Sequence, residues 1–210
     1  MGSFTLSPKP PPLALTTKMP ASLPTTIFLD RDGVINEKAP EGDYVKTWGE
    51  FRFLPGALEA IKALAGVAPR LLVVSNQRGI AQGVMSEQDL LDIHENMLSE
   101  IRRTGGRIDS IYHCPHEKHS CDCRKPGIGM FLKAKQEHPE IDFEKAVVVG
   151  DSLADLDAAS RLSCMPVLVT TRADWPDVLE AARRRPIPDL VVASSLRAFS
   201  HGLMEDLDSA

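Results

Sequence analysis

Two carboxylates stand two residues apart in Asp30-Arg31-Asp32-Gly33, followed by a glycine that permits a sharp turn. If the chain leaves a strand extended here, both can face one site. Alone, such an acidic turn is common, and a solvated turn explains it as well. Three further segments carry matching chemistry. Asp151, after an apolar run closed by Gly150, offers a third carboxylate. Together these make an oxygen-rich site suited to Mg²⁺. Ser75 and Asn76 offer a hydroxyl and an amide to phosphate oxygens, and Lys125 offers a cation for charge on a phosphoryl group. Taken singly, Lys125 reads as a surface lysine, and Ser75 and Asp151 as caps. Four segments in this order, three at expected strand ends, are read as one site.

Three of the four cysteines, Cys114, Cys121 and Cys123, fall within ten residues, with His116 among them. Three thiols and one imidazole make a closed tetrahedral set for Zn²⁺. Pairing of the thiols is the competing reading, but a secreted disulfide framework goes with an even number and a signal peptide. His119 is the second choice of ligand, and otherwise a solvated loop residue. Cys164 lies in an apolar stretch and is expected as a small buried hydrophobe. A zinc site with no open position is structural. Its expected job is to pin the loop at 114–123 beside Arg124 and Lys125, and so to aim the lysine.

The elements that must position these groups follow from the apolar pattern. Strands are expected at 25–29, 71–74, 108–113, 146–149, 166–169 and 189–192. Between them, Pro55 opens a helix that ends near Gly66. Ser86 caps a second, with Asp89 three residues on, reaching about Arg103. Further helices are expected over 128–137, 153–162, 174–185 and near 195–204. Short apolar strands alternating with helices predict a single-domain α/β fold: a three-layer sandwich with a mostly parallel, Rossmann-like sheet. Function in such sheets sits at the carboxyl ends of strands. The clusters at Asp30–Asp32, Ser75–Gln77 and Gly150–Asp151 all fall there.

At 210 residues the chain is long enough for one self-sufficient core. Its net charge of −5 argues against a non-specific nucleic-acid binder, which needs a basic face. Apolar runs are a few residues long, far short of the ~20 that span a bilayer, so a membrane role is excluded. Six of the 16 prolines lie within residues 1–24. Proline fixes φ and removes amide donors, so this stretch is expected to be a disordered leader. Its apolar patch at Leu13–Leu15 is too short for a signal-peptide core, and without arginine it hints only weakly at a transit peptide. Met19 is a candidate native start. The body is expected over 25–205, in the cytoplasm, as a monomer. Arg183, Arg184 and Arg185 read as a solvated helix face.

The order DRDGVIN, SNQ, RKP and VVGDSLAD resembles the four motifs of haloacid dehalogenase-type phosphatases, over about residues 26–170. The resemblance implies a fold without a large cap domain. It implies Asp30 as nucleophile and Asp32 as acid and base, with Ser75 and Lys125 binding the phosphoryl group. Mg²⁺ would be held by Asp30, the backbone carbonyl of Asp32, and Asp151, with Asp155 supporting it through water. The spacing C-x-H, then C-x-C, then RKP further resembles a subgroup of heptose 1,7-bisphosphate 7-phosphatases and histidinol-phosphate phosphatases. DRDGVIN, Tyr44-Val45 and SNQRGIAQG resemble the heptose enzymes. That likeness implies removal of the 7-phosphate of D-glycero-D-manno-heptose 1,7-bisphosphate through an aspartyl-phosphate. It sets Tyr44, Asn76, Gln77, Arg78 and Arg124 around the sugar or its second phosphate; for Arg78 an exposed loop residue is an equal alternative. Three departures stand out. The gap from His116 to Cys121 is of the histidinol type, residues 37–43 form a longer stretch than usual, and Ser152 stands where relatives often carry a basic residue. The other readings are a histidinol-phosphate phosphatase and an inactive, zinc-stapled binding module. Retention of Asp30, Asp32, Lys125 and Asp151 speaks against the last.

Overall fold

Period two in the strands decides the layering. The structure, a computed structural model, describes residues 22–170, 180, 182, 187 and 189–208. In β1 (Thr26–Leu29) Ile27 and Leu29 enter one core, while Phe28 enters another on the opposite face. In β2 (Arg70–Asn76) Leu71 and Val73 join the first core, and Leu72 and Val74 the second. In β4 (Ala146–Gly150) Val147 and Val149 oppose Ala146 and Val148 in the same way. A strand buried on both faces needs helices on both sides. The first face is covered by α1 (Ala57–Val67), α2 (Glu87–Arg103) and α5 (Leu196–Asp208). The second is covered by α3 (Gly129–Glu137) and α4 (Leu153–Leu162). Each buried Leu, Ile or Phe contributes about 1.5–3 kcal/mol, and Phe28 adds an edge-to-face contact with Phe131 at 5.0 Å.

With β3 (Ser110–Cys114), β5 (Met165–Val169) and β6 (Val191–Ala193), the sheet has six parallel strands in the order β3-β2-β1-β4-β5-β6. The chain winds outward from β1 to β3, then returns to lay β4 on the other side of β1. That reversal leaves a crevice at the carboxyl ends of β1 and β4, the place where open α/β sheets bind ligands. The fold is the single-domain α/β sandwich expected, and among the described residues no inserted domain interrupts the sheet.

Element bounds differ from expectation where local chemistry intervenes. The third strand starts at Ser110, not 108, because the Asp109 carboxylate accepts from Leu71 N at 2.8 Å in place of a ladder bond. The last strand starts at Val191, not 189, because Asp189 has a left-handed φ of 55°. The first helix begins after Gly56, whose φ is 77° and whose added Cβ would lie 2.6 Å from Arg197 Cδ. Residues 1–21 of the expected leader, Met19 included, and most of the expected helix over 174–185, with its three arginines, lie outside the described residues.

Candidate active site

At the end of β1, Asp30 N donates to Val149 O at 2.8 Å, so the sheet ladder carries Asp30 to the crevice beside Asp151. Asp30 Oδ1 accepts from Arg31 N at 2.7 Å and lies 3.0 Å from Lys125 Nζ. The lysine is 3% exposed, and its ammonium is fully engaged: Asp30 Oδ1 at 3.0 Å, Asp155 Oδ1 at 2.6 Å and Val74 O at 2.7 Å. Burial works against this charge, but Asp155 and then Asp30 outweigh it and hold the lysine above its usual pKa. Asp155 is in turn fixed at the start of α4, accepting from Ser152 Oγ at 2.5 Å and Ser152 N at 3.2 Å. Ser152 therefore serves the helix cap.

Asp30, Asp151 and Asp155 offer carboxylate oxygens that all lie within 4.8 Å of one another. Burial raises Asp30 to about 7, with Lys125 opposing and Asp155, Asp151 and Asp32 adding to the rise. Burial also raises Asp151 to about 6, against the pull of Lys38. Asp151 Oδ2 pairs with Lys38 Nζ, whereas its Oδ1 is buried with no hydrogen-bond partner. An orphaned buried oxygen in a carboxylate cluster fits a hard divalent cation. Gly33 closes this corner, since a Cβ there would sit 1.8 Å from Asp151 Oδ2.

Asp32 has a different set of partners. Its oxygens accept from Arg31 Nη2 at 2.9 and 3.0 Å, from Asn36 Nδ2 at 2.9 Å and from Gln77 Nε2 at 2.8 Å. Burial would raise its pKa, but Arg31 and these donors together hold it below the usual carboxylate value. The Gln77 amide also donates to Ser75 Oγ at 2.7 Å.

The second metal-type cluster is formed by Cys114, His116, Cys121 and Cys123. Cys123 Sγ is 3.2 Å from both Cys114 Sγ and Cys121 Sγ, and the latter pair are 3.5 Å apart. His116 Nδ1 lies 3.1 Å from Cys123 Sγ and 3.6 Å from Cys114 Sγ. A tetrahedron with Zn–S bonds of ~2.3 Å has edges of about 3.7 Å, close to these spacings. All four cysteines are free thiols, which removes the pairing alternative, and Cys164 is buried in the second core as expected. His119 stands outside the cluster.

Two residues expected near the sugar also make internal hydrogen bonds, and Asn76 lines the cavity that Arg124 lines. Gln77 is 1% exposed and faces Asp32 and Ser75, not the crevice opening. Asn76 clamps the backbone of Lys125, accepting from its N at 3.0 Å and donating to its O at 3.1 Å. Both amides use their oxygen and nitrogen on protein groups. Arg78 is paired with Glu117 at 2.6 Å, on the rim beside Tyr44. Arg124 is the group left open. Its Nη1 is buried without a partner, and it lines an 860 Å³ cavity with Lys118, Lys125, Ser152 and Arg161. Sequence reading passed over Lys38, Arg31 and His94, because no motif separates a working lysine, arginine or histidine from an ordinary one.

Carboxylates at a switch point of a parallel sheet, facing a buried lysine, define a hydrolase of the haloacid dehalogenase type. The comparisons agree. The family described as HAD-hydrolase-like matches residues 122–198. A D-glycero-alpha-D-manno-heptose-1,7-bisphosphate 7-phosphatase of Mycobacterium bovis is 43% identical over 138 residues, covering 65% of this chain and 72% of the relative. A D-glycero-beta-D-manno-heptose-1,7-bisphosphate 7-phosphatase of Pseudomonas aeruginosa is 40% identical over 146 residues, covering 69% and 80%. The crystal structure of D,D-heptose 1,7-bisphosphate phosphatase from B. bronchiseptica, complexed with magnesium and phosphate, superposes with a TM-score of 0.76 at 33% identity, covering 87% of this chain and 99% of that one. The chain belongs to the haloacid dehalogenase-like phosphatases, in the group that holds the heptose-1,7-bisphosphate 7-phosphatases, and is a phosphatase.

Proposed function

We propose that this phosphatase removes the 7-phosphate of D-glycero-D-manno-heptose 1,7-bisphosphate by way of an aspartyl-phosphate on Asp30. The observation that carries this reading is the placement of Asp30 Oδ1 at the end of β1, 3.0 Å from the Lys125 ammonium. Support for the substrate comes from relatives at 43% and 40% identity whose names specify that sugar bisphosphate.

In the first step Asp30 Oδ attacks phosphorus and the bond from phosphorus to the sugar oxygen breaks; Asp32, ionised in the free enzyme, takes up the proton of an entering phosphate monoanion and passes it to that oxygen. In the second, Asp32 takes a proton from water, whose oxygen attacks phosphorus and releases phosphate from Asp30. Ser75 already accepts from Gln77, which leaves its own proton for a phosphoryl oxygen. Lys125 meets charge on the same group. The divalent ion would be Mg²⁺ on Asp30, Asp151 and the Asp32 carbonyl; it keeps Asp30 ionised and offsets phosphoryl charge when bound. Cys114, His116, Cys121 and Cys123 would hold Zn²⁺, which would staple the loop that carries Arg124 and Lys125. Arg124, open on the cavity, takes the second phosphate by its planar fork.

The test is phosphate release with Mg²⁺ from both anomers of the heptose bisphosphate and from histidinol phosphate. The expected outcome is a kcat/KM at least ~10²-fold higher for a heptose bisphosphate; a preference for histidinol phosphate overturns the substrate. Asp30→Asn is expected to lose turnover with circular dichroism unchanged, and a wild-type rate in that variant removes Asp30 as nucleophile.

A further inference from the structure

A wholly buried arginine demands an explanation, because its charge must be met inside the protein. Arg31 is 0% exposed and lies between the two aspartates of the site. Its Nη2 spans both oxygens of Asp32 at 2.9 and 3.0 Å and reaches Gln77 Oε1 at 3.4 Å. Its other amino group, Nη1, lies 3.5 Å from Nε2 of His94 on α2, while its Nε is buried without a hydrogen-bond partner. His94 comes from 63 residues further along the chain and is 5% exposed. It occupies a position of the apolar stripe of α2, between Leu90 and Met97, where a leucine would serve packing better. From its far side the His113 ring meets it edge-on at 5.9 Å, and His113 Nε2 lies 2.6 Å from Glu87 Oε1.

We propose that His94 is a positioning residue for proton transfer by Asp32, acting through Arg31. The ring blocks the guanidinium from swinging back toward α2 and offers Nη1 an acceptor. Arg31 then presents one edge to Asp32, and Asn36 and Gln77 complete the carboxylate's partners. A proton-transfer group held this way keeps one orientation between its two tasks. Burial, Arg31 and His113 lower the His94 pKa to about 3, so the ring is neutral and can accept. His94 is not among the groups expected to hold the metal or the phosphoryl group; its hydrogen-bond distance is to Arg31, and it feels the Asp32 charge only electrostatically.

This inference rests on the acid and base role proposed for Asp32, and a double-mutant cycle separates the two. The steady-state rate with Mg²⁺ is measured on an alkyl phosphate, the heptose bisphosphate, for His94→Leu, His94→Gln, Asp32→Asn and the double variant His94→Leu/Asp32→Asn. His94→Leu is expected to lower kcat by about tenfold with KM within twofold, a fraction of the ~10²–10⁴ that proton transfer supplies. His94→Gln, whose carbonyl can accept from Arg31, should recover most of it. In the Asp32→Asn background, His94→Leu should cost nothing further. Loss of the same factor in both backgrounds, or an unchanged kcat in folded His94→Leu, overturns the inference while leaving Asp32 in place. A wild-type rate in Asp32→Asn overturns the Asp32 role and this inference with it. If His94→Leu lacks wild-type circular dichroism, the same cycle with His94→Asn decides.

Discussion

The Lys125 ammonium finds three acceptors for its three hydrogens, one each from Asp30, Asp155 and the β2 backbone. A lysine so held cannot leave with its charge unpaired, which is why burial fails to neutralise it. His94 shows the opposite outcome, since burial and a neighbouring cation keep it uncharged. Its native pKa of about 3 lies below the ordinary 6.5. Between those values the unfolded chain binds a proton that the native ring refuses, so stability falls as pH drops from 6.5 toward 3. The slope from this group is at most about 1.4 kcal/mol per pH unit. Denaturant unfolding at pH 7 and pH 5 should show His94→Gln losing less stability on acidification than the wild type. Equal losses would deny the buried neutral imidazole. What the sequence made legible at this scale were the groups with motif context, namely Asp30, Asp32, Ser75, Lys125 and Asp151. Lys38 and His94 were opaque because their partners lie 113 and 63 residues away in the chain.

At the scale of elements, the loop at 114–125 is organised from both ends. Gln77 N donates to Cys114 O at 2.8 Å at its start, and the Asn76 amide grips Lys125 at its finish. Between them stands the Cys₃His cluster, and under the zinc proposal the loop would act as a strut that aims the lysine. Zinc assay of the purified protein is expected to find one equivalent. Removal by a chelator should abolish most activity while far-UV circular dichroism keeps the sheet signal, and a zinc-free sample of full activity would refute the strut. Among the described residues the strands and helices match the periodicity to within a few residues, the helix expected over 174–185 lying outside them. The misses at Asp109 and Asp189 share one cause: a short acidic side chain or a left-handed backbone takes over what a ladder bond would have done. Asn76 and Gln77 illustrate a different limit. Their type and position at a strand end fit substrate contact and internal clamping equally, and the clamping shows only in the three-dimensional partners.

For the whole molecule, the site is a sheet property. Asp30 and Asp151 come from strands paired side by side, with Leu29 opposite Val149, and Ser75 from the strand on the other flank of β1. A divalent ion that binds only this native arrangement must stabilise the fold as a whole, by about 2.7 kcal/mol at a hundredfold excess over Kd. Thermal unfolding should therefore shift upward with Mg²⁺ in the wild type and remain still in Asp151→Asn, where a carboxylate becomes an amide. A shift of the same size in both would place the ion elsewhere.

The adjacency of β1 and β4 has a temporal side as well. Ile27 pairs with Val147, so the seam that carries the reaction joins the first strand to the fourth. A nascent chain that has emerged only through β3 holds Asp30 and Ser75 but neither Asp151 nor Asp155, and β1 lacks one neighbour. Loop closure over so long a stretch is a slow event in assembly. A fragment ending before residue 146 lacks Asp151 and Asp155, and with them two of the three carboxylates that converge at the crevice.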